Sequence, residues 1–252
     1  MEGPLAGRRA PHPSAGPRAA KGYTAHKTVH ARDVFRLVAQ DLCPYAQRCR
    51  VLLEEKRAPY VTEYIQLDQK PAWFAKLAPT GTVPLLVHGD VVVDGSLAIN
   101  EYVDAHWGVP TGPRAPDEVE GLRARLTVLS EAMAIVWSAC IATSDQARDA
   151  ELRRLESSLG RITLSRPRPS DHGSLDLFEC ALVPLGLRLR WMAGVTTFPA
   201  FDVPAALDAW LDVALERPSA TTSLLPHVRD KFEAWLRRRL PSGAQAPRVL
   251  AP

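Results

Sequence analysis

From Asp33 onward, apolar residues come in short β-prone runs separated by stretches of helical spacing. Val34, Phe35, Leu37 and Val38 form a first strand, which stops at Gln40-Asp41. Ala46, Val51, Leu52 and Leu53 then fall on one helical face, with Arg48, Arg50, Glu54, Glu55 and Lys56 on the face left to water. Pro59 closes that helix. The alternation from Tyr60 to Leu67 predicts a second strand, and Pro71 to Leu77 a short helix. Pro79-Thr80-Gly81-Thr82 is a turn before a third strand, Val83 to Val87, that contains Pro84. His88-Gly89-Asp90 makes a tight hairpin turn into a fourth strand, Val91 to Val93. Ser96 opens a helix through Ile99, Tyr102 and Val103.

Residues 108–116 are rich in Gly and Pro and read as a linker, and the pattern is helical after it. Val119, Leu122, Leu126, Leu129, Met133, Val136 and Cys140 recur at steps of three and four. Leu152, Leu155, Leu159 and Ile162 continue the stripe in a second helix. Pro167 and Pro169 interrupt it. Asp176 and Glu179 then stand as a capping-box pair ahead of an apolar run. Two further helices are expected around Ala205–Leu215 and Leu225–Leu240. The element order predicts an α+β fold: a thioredoxin-like N-terminal domain over residues 31–107, then an all-α C-terminal domain over 117–240.

With 252 residues and 46% hydrophobic content, the chain can bury a sizeable core. Its net charge of +3 gives no reason to expect nucleic acid, and no apolar run approaches the ~20 residues of a membrane span. Residues 1–30 hold Glu2 as the sole acid beside several Arg and Lys, broken by prolines. They read as a disordered basic leader, and residues 241–252 as a disordered tail. The leader's composition also fits an organelle transit peptide. The compartment expected is therefore cytoplasmic, with mitochondrion or plastid as the alternative. The four cysteines, Cys43, Cys49, Cys140 and Cys180, lack metal-ligand spacing, so no metal is expected and a reducing compartment is the default.

Cys43 carries the chemistry. Pro44 suits a first helical position, which puts Cys43 at a helix N-terminus. Unpaired N–H groups and the positive helix end favour a thiolate there, by at most ~2 kcal/mol, or about one and a half pKa units. The expectation is a thiol more acidic than the free value of about 8.5. Ala46 stands three places on, so no disulfide can close within the motif. An external thiol must resolve any mixed disulfide, and glutathione is the obvious one. Pro84 would, if cis, turn the Val83 backbone outward to pair with glutathione, and Ser96 at a helix start can bind its γ-glutamyl carboxylate. Lys70 can meet the glycyl carboxylate, and Tyr45 stands beside Cys43. Cys49, Cys140 and Cys180 read as packing residues, as do Trp73, Phe74, Trp137, Trp191 and Trp210.

The run Leu42-Cys43-Pro44-Tyr45-Ala46-Gln47-Arg48 resembles the omega-class glutathione transferases and the plant dehydroascorbate reductases. The likeness continues through Leu53-Glu54-Glu55-Lys56, Pro59-Tyr60, Lys70-Pro71-Ala72-Trp73-Phe74 and Pro79-Thr80-Gly81-Thr82-Val83-Pro84. It is looser at Trp210-Leu211-Asp212 and Glu216-Arg217-Pro218-Ser219. The resemblance implies a thiol transferase or dehydroascorbate reductase with glutathione as co-substrate and a small disulfide or electrophile as substrate. It implies Cys43 as nucleophile, a glutathione site lined by Tyr45, Lys70, Val83, Pro84 and Ser96, and a homodimer. Leu67, Asp94 and Gly95 fall at the margin of that site. The family usually has an acid directly before the serine; here that position is Gly95, and the acid is Asp94. The departure keeps open a non-catalytic binding or regulatory module, and a glutathione-conjugating transferase is a third reading.

Overall fold

The computed structural model describes residues 33–165, 169 and 173–240; the expected leader and tail lie outside the described residues. Its first half runs β1 (Phe35–Ala39), α1 (Pro44–Glu55), β2 (Tyr60–Tyr64), α2 (Ala72–Leu77), β3 (Leu85–His88), β4 (Val91–Asp94) and α3 (Ser96–His106). The sheet order is β2-β1-β3-β4, with β1 and β2 parallel and the other pairs antiparallel. β1 is central and nearly all apolar because it is covered on both faces. Phe35 and Leu37 belong to the core shared with α1 and α3, while Val38 packs with Phe74 of α2 and Leu85. The α+β, thioredoxin-like architecture expected from the pattern is the one observed.

Boundaries move where backbone chemistry requires it. Pro84 is not inside the third strand: it precedes β3, and the Val83–Pro84 peptide is cis. A proline has no N–H to give a ladder, so pairing begins one residue later. β2 stops at Tyr64, which leaves Leu67 exposed outside the sheet. The Gly89-Asp90 turn is as expected, with Gly89 at φ +59°.

The second half is α4 (Pro116–Ile141), α5 (Asp145–Gly160), α6 (Leu177–Ala193), α7 (Ala205–Leu215), α8 (Pro218–Thr222) and α9 (Val228–Arg237). The short α8 was not expected, and α9 is shorter than the Leu225–Leu240 helix anticipated. The capping box is present: Asp176 accepts from Glu179 N at 2.8 Å, and Glu179 accepts from Asp176 N at 3.0 Å. α4 corrects the expectation that no segment is long and apolar enough to span a membrane, since by length and composition it is. Here it packs by Leu126, Leu129, Met133 and Val136 within the helical layer.

One core runs from α1 and α3 through α4, α6 and α7. The segment between the halves is pinned: Asp104 pairs with Lys56 at 2.8 Å and accepts from Thr111 N at 2.9 Å and Gly112 N at 3.0 Å. The face of α1 assigned to water is the largest correction. Arg48, Arg50 and the side chains of Glu55 and Lys56 are buried. α6 and α8 cover this face, so its polar groups find partners there. Arg50 Nε donates to Ser223 O at 2.9 Å, and Glu55 accepts from Arg217 at 2.9 Å and from Ser219.

Candidate active site

Cys43 is the N-cap of α1, with extended backbone (φ −68°, ψ 113°) and Pro44 at the first helical position. Its Sγ accepts from Ala46 N at 3.4 Å, so the helix end does face the sulfur. On the other side, Cys43 Sγ lies 3.9 Å from Val83 O, across the cis peptide. Gly95 N in turn donates to Pro84 O at 3.3 Å, which ties the start of α3 to the same loop. The fold thus brings together Cys43, Val83, Pro84, Gly95 and Ser96.

The thiol is not more acidic than usual. Burial pushes it up, and the N–H groups of Ala46 and Tyr45 and the charges of Arg188 and Arg50 only partly pull it back. The reason is one of magnitude: a helix end is worth about one and a half units, whereas burial shifts a group by up to 3–5 units. Cys49, Cys140 and Cys180 are fully buried, and burial pushes Cys140 up to about 12. Cys43 is the one cysteine with access to the surface.

Ser96 is not a cap. Gly95 is the N-cap of α3, with φ +89°, and Ser96 is the first helical residue and is buried. Asp94 Oδ2 accepts from Thr80 N at 3.2 Å and Thr80 Oγ1 at 2.7 Å, so it buttresses the Thr80-Gly81-Thr82 turn. Its Oδ1 is buried without a hydrogen-bond partner. Lys70 is exposed, and its Nζ lies 3.5 Å from where a Cβ on Gly81 would stand. Asp94 and Lys70 therefore flank the same turn, upstream of Val83. Tyr45 is directed elsewhere: its hydroxyl is 3.5 Å from Ser130 O on α4, and Arg48 lies over its ring. Leu67 is exposed, beyond the end of β2.

A narrow cavity of about 80 Å³ adjoins Pro44 and Tyr45, and the helical half supplies most of its wall. Met133, Val136 and Trp137 come from α4, Arg188 from α6, and Phe232 and Trp235 from α9. Trp137, expected in the core, is half exposed and stacks on Trp235 with ring centroids 4.8 Å apart. Trp235, Phe232 and Arg188 escape sequence reasoning because no local motif marks a residue that reaches the site from another layer. Among the described residues, no group of three or more His, Cys, Asp or Glu could hold a metal.

Residues 42–106 match the model of the glutathione S-transferase N-terminal domain. Pyrimidodiazepine synthase of Drosophila melanogaster is 39% identical over 88 residues, 33% of this chain and 36% of that protein. The probable glutathione S-transferase DHAR1, cytosolic, of Oryza sativa subsp. japonica is 34% identical over 76 residues, 30% of this chain and 36% of that protein. The chain thus matches about a third of the length of these relatives. The crystal structure of glutathione transferase Omega 3C from Trametes versicolor superposes with a TM-score of 0.65 at 21% identity, over 76% of this chain and 89% of that one. That likeness extends the common fold into the helical half.

Proposed function

We propose that this chain, whose residues 42–106 match the glutathione S-transferase N-terminal domain, is a glutathione-dependent thiol transferase working through a mixed disulfide at Cys43. The observation that carries the reading is the seating of Cys43: its sulfur stands at the start of α1, opposite Val83 O, with no second cysteine in the motif to resolve it. The Cys43 thiolate attacks the glutathionyl sulfur of a mixed disulfide, and the substrate leaves as its thiolate and takes up a proton. A second glutathione thiolate then attacks the Cys43–glutathione disulfide, releases oxidised glutathione and restores Cys43. Dehydroascorbate is the other substrate of this class; two glutathione thiols supply its two electrons.

In this reading the Val83 backbone pairs with the cysteinyl unit of glutathione and Pro84 sets its direction. Ser96 receives the γ-glutamyl carboxylate on its N–H and hydroxyl, and Lys70 meets the glycyl carboxylate. Asp94 acts through the Thr80 turn, and Leu67 and Gly95 border the site. The rice relative's cytosolic name supports a reducing compartment, which the resolving step needs.

A second reading, a binding module without turnover, is favoured by Gly95 and by the engagement of Asp94 with Thr80, which together leave the glutathione amino group without an obvious carboxylate. The deciding assay is glutathione-dependent reduction of a small mixed disulfide and of dehydroascorbate, wild type beside Cys43→Ser. Activity that disappears in the variant is the expected result. A folded wild type without activity favours the binding module, and turnover that survives in Cys43→Ser points to conjugation.

A further inference from the structure

Arg188 is a buried charge that the scheme above does not use. It sits on α6 with 2% of its surface exposed. Nη1 donates to Gln47 Oε1 at 2.7 Å, and Nη2 donates to Leu42 O at 3.2 Å, the carbonyl directly before Cys43. The guanidinium lies 4.5 Å from the Trp191 ring centroid and 5.8 Å from that of Phe232. Among the described residues, no carboxylate is within ion-pair distance of it. An unpaired guanidinium in apolar surroundings is unfavourable, and burial lowers its pKa to about 9. A neutral amide would fasten Leu42 and Gln47 as well, so the charge itself calls for an account.

The charged and titratable groups around Cys43 narrow the choice. On α1, Arg50 is engaged by Ser223 O and the Tyr64 hydroxyl, and Arg48 by Ser130 and the Tyr45 ring. Burial pushes the Tyr45 hydroxyl and the Cys49 thiol up, and likewise the Cys140 thiol on α4, so all three are neutral near pH 7. Asp41, two residues before Cys43, is paired with Lys231 at 2.9 Å. Of the cations, Arg188 acts on Cys43 more strongly than Arg50 does.

We propose that Arg188 is a positioning residue: it supplies, from the helical half, the buried counter-charge of the Cys43 thiolate. The proposal rests on the reading of Cys43 as nucleophile. It adds that ionisation of the thiol depends on the docking of α6 against the start of α1, and that salt screens this pair weakly because it is buried.

The test is the pH dependence of Cys43 alkylation by iodoacetamide, followed by mass spectrometry in wild type, Arg188→Gln and Arg188→Met. Glutamine keeps a donor for Leu42 O and removes the charge; methionine removes both and suits the apolar surroundings. Both variants are expected to shift the profile to higher pH and to slow alkylation at pH 7 by about tenfold, the factor for one pKa unit. A wild-type profile in Arg188→Gln overturns the proposal, and so does a defect confined to Arg188→Met, which would assign Arg188 to hydrogen bonding alone. Should neither variant fold by circular dichroism, the wild type decides. Its rate with anionic iodoacetate relative to iodoacetamide must exceed the same ratio for free glutathione, and an equal or lower ratio overturns the assignment. Failure of the underlying reading looks different: Cys43→Ser would keep glutathione-dependent turnover while both Arg188 variants still shifted the Cys43 alkylation profile to higher pH.

Discussion

At Cys43 two effects of unequal size oppose each other. The helix end and the neighbouring guanidiniums favour the thiolate, and burial favours the thiol and prevails. Because the thiol is raised, the thiolate fraction of the glutathione-free protein keeps growing above the ordinary value of about 8.5. The alkylation rate is therefore expected to climb through pH 9 without a plateau below pH 8, which a stopped-flow pH series checks. The neighbouring side chains separate by what they touch. Tyr45 gives its hydroxyl to Ser130 O, so Tyr45→Phe is expected to change turnover less than about threefold, the loss of one weak neutral bond. With Ser96 in the role proposed for it, Ser96→Ala removes a donor for a charged carboxylate and is expected to raise KM for glutathione by about tenfold with kcat little changed, since such bonds are worth ~1.5–3 kcal/mol. The placement of Cys43, Val83 and Ser96 was legible because each sits in a local signature: a Cys-Pro helix start, a strand-edge proline, a serine after a turn. The ionisation of Cys43 and the direction of Tyr45 were not, since both depend on α4 and α6, which approach from far along the chain.

Among the elements, α6 organises the helical half and is buried almost from end to end. Its close approach to α7 depends on Gly186, where a Cβ would stand 2.0 Å from Leu211 Cδ2 and 2.7 Å from Leu211 Cγ. Leu211 is itself fully buried and has little room to yield. Gly186→Ala is expected to destabilise the fold by about 1–3 kcal/mol through overpacking, seen as a thermal midpoint several degrees lower. The start of α6 was readable as Asp-x-x-Glu before an apolar run, because a capping box is a local hydrogen-bond device. The short α8 was not, for five residues carry too little periodicity to register. The true start of β3 follows from proline's missing donor, a rule that the alternation of Val83 to Val87 hides.

For the whole molecule, the junction between the halves is polar and buried together. Burial pushes the Glu55 carboxyl up, but hydrogen bonds from Arg217, Ser219 and Leu175 N, with the Arg217 charge, hold it below the ordinary range. Asp104 is likewise held low against burial by Lys56, Thr111 and Gly112. For a carboxylate with a depressed folded-state pKa, the contribution to stability is present above the unfolded value, about 4, and is lost as pH falls through the folded value. Wild type is therefore expected to lose thermal stability more steeply between about pH 5 and pH 3 than Glu55→Gln, whose amide does not titrate in that window. A calorimetric pH series on both proteins checks it, and parallel curves would remove Glu55 from the acid response.

The sequence by itself determined the order of elements, the seating of Cys43 at a helix start and the loop that opposes it. Those features arise from short-range causes: side-chain periodicity, proline's missing N–H, glycine's tolerance of positive φ and the unpaired groups of a helix end. Tertiary structure alone decided which face of α1 is dry. Arg48, Arg50, Glu55 and Lys56 have the composition of a solvated face, and their side chains are buried because α3, α4 and the α8 region bring partners from up to 173 residues away. The same docking brings Arg188, Trp137 and Trp235 to the cavity beside Pro44 and Tyr45, and burial with the Arg188 charge acts on the Cys43 thiol from there. Burial and long-range charge are properties of the packed molecule, and local pattern carries no record of them.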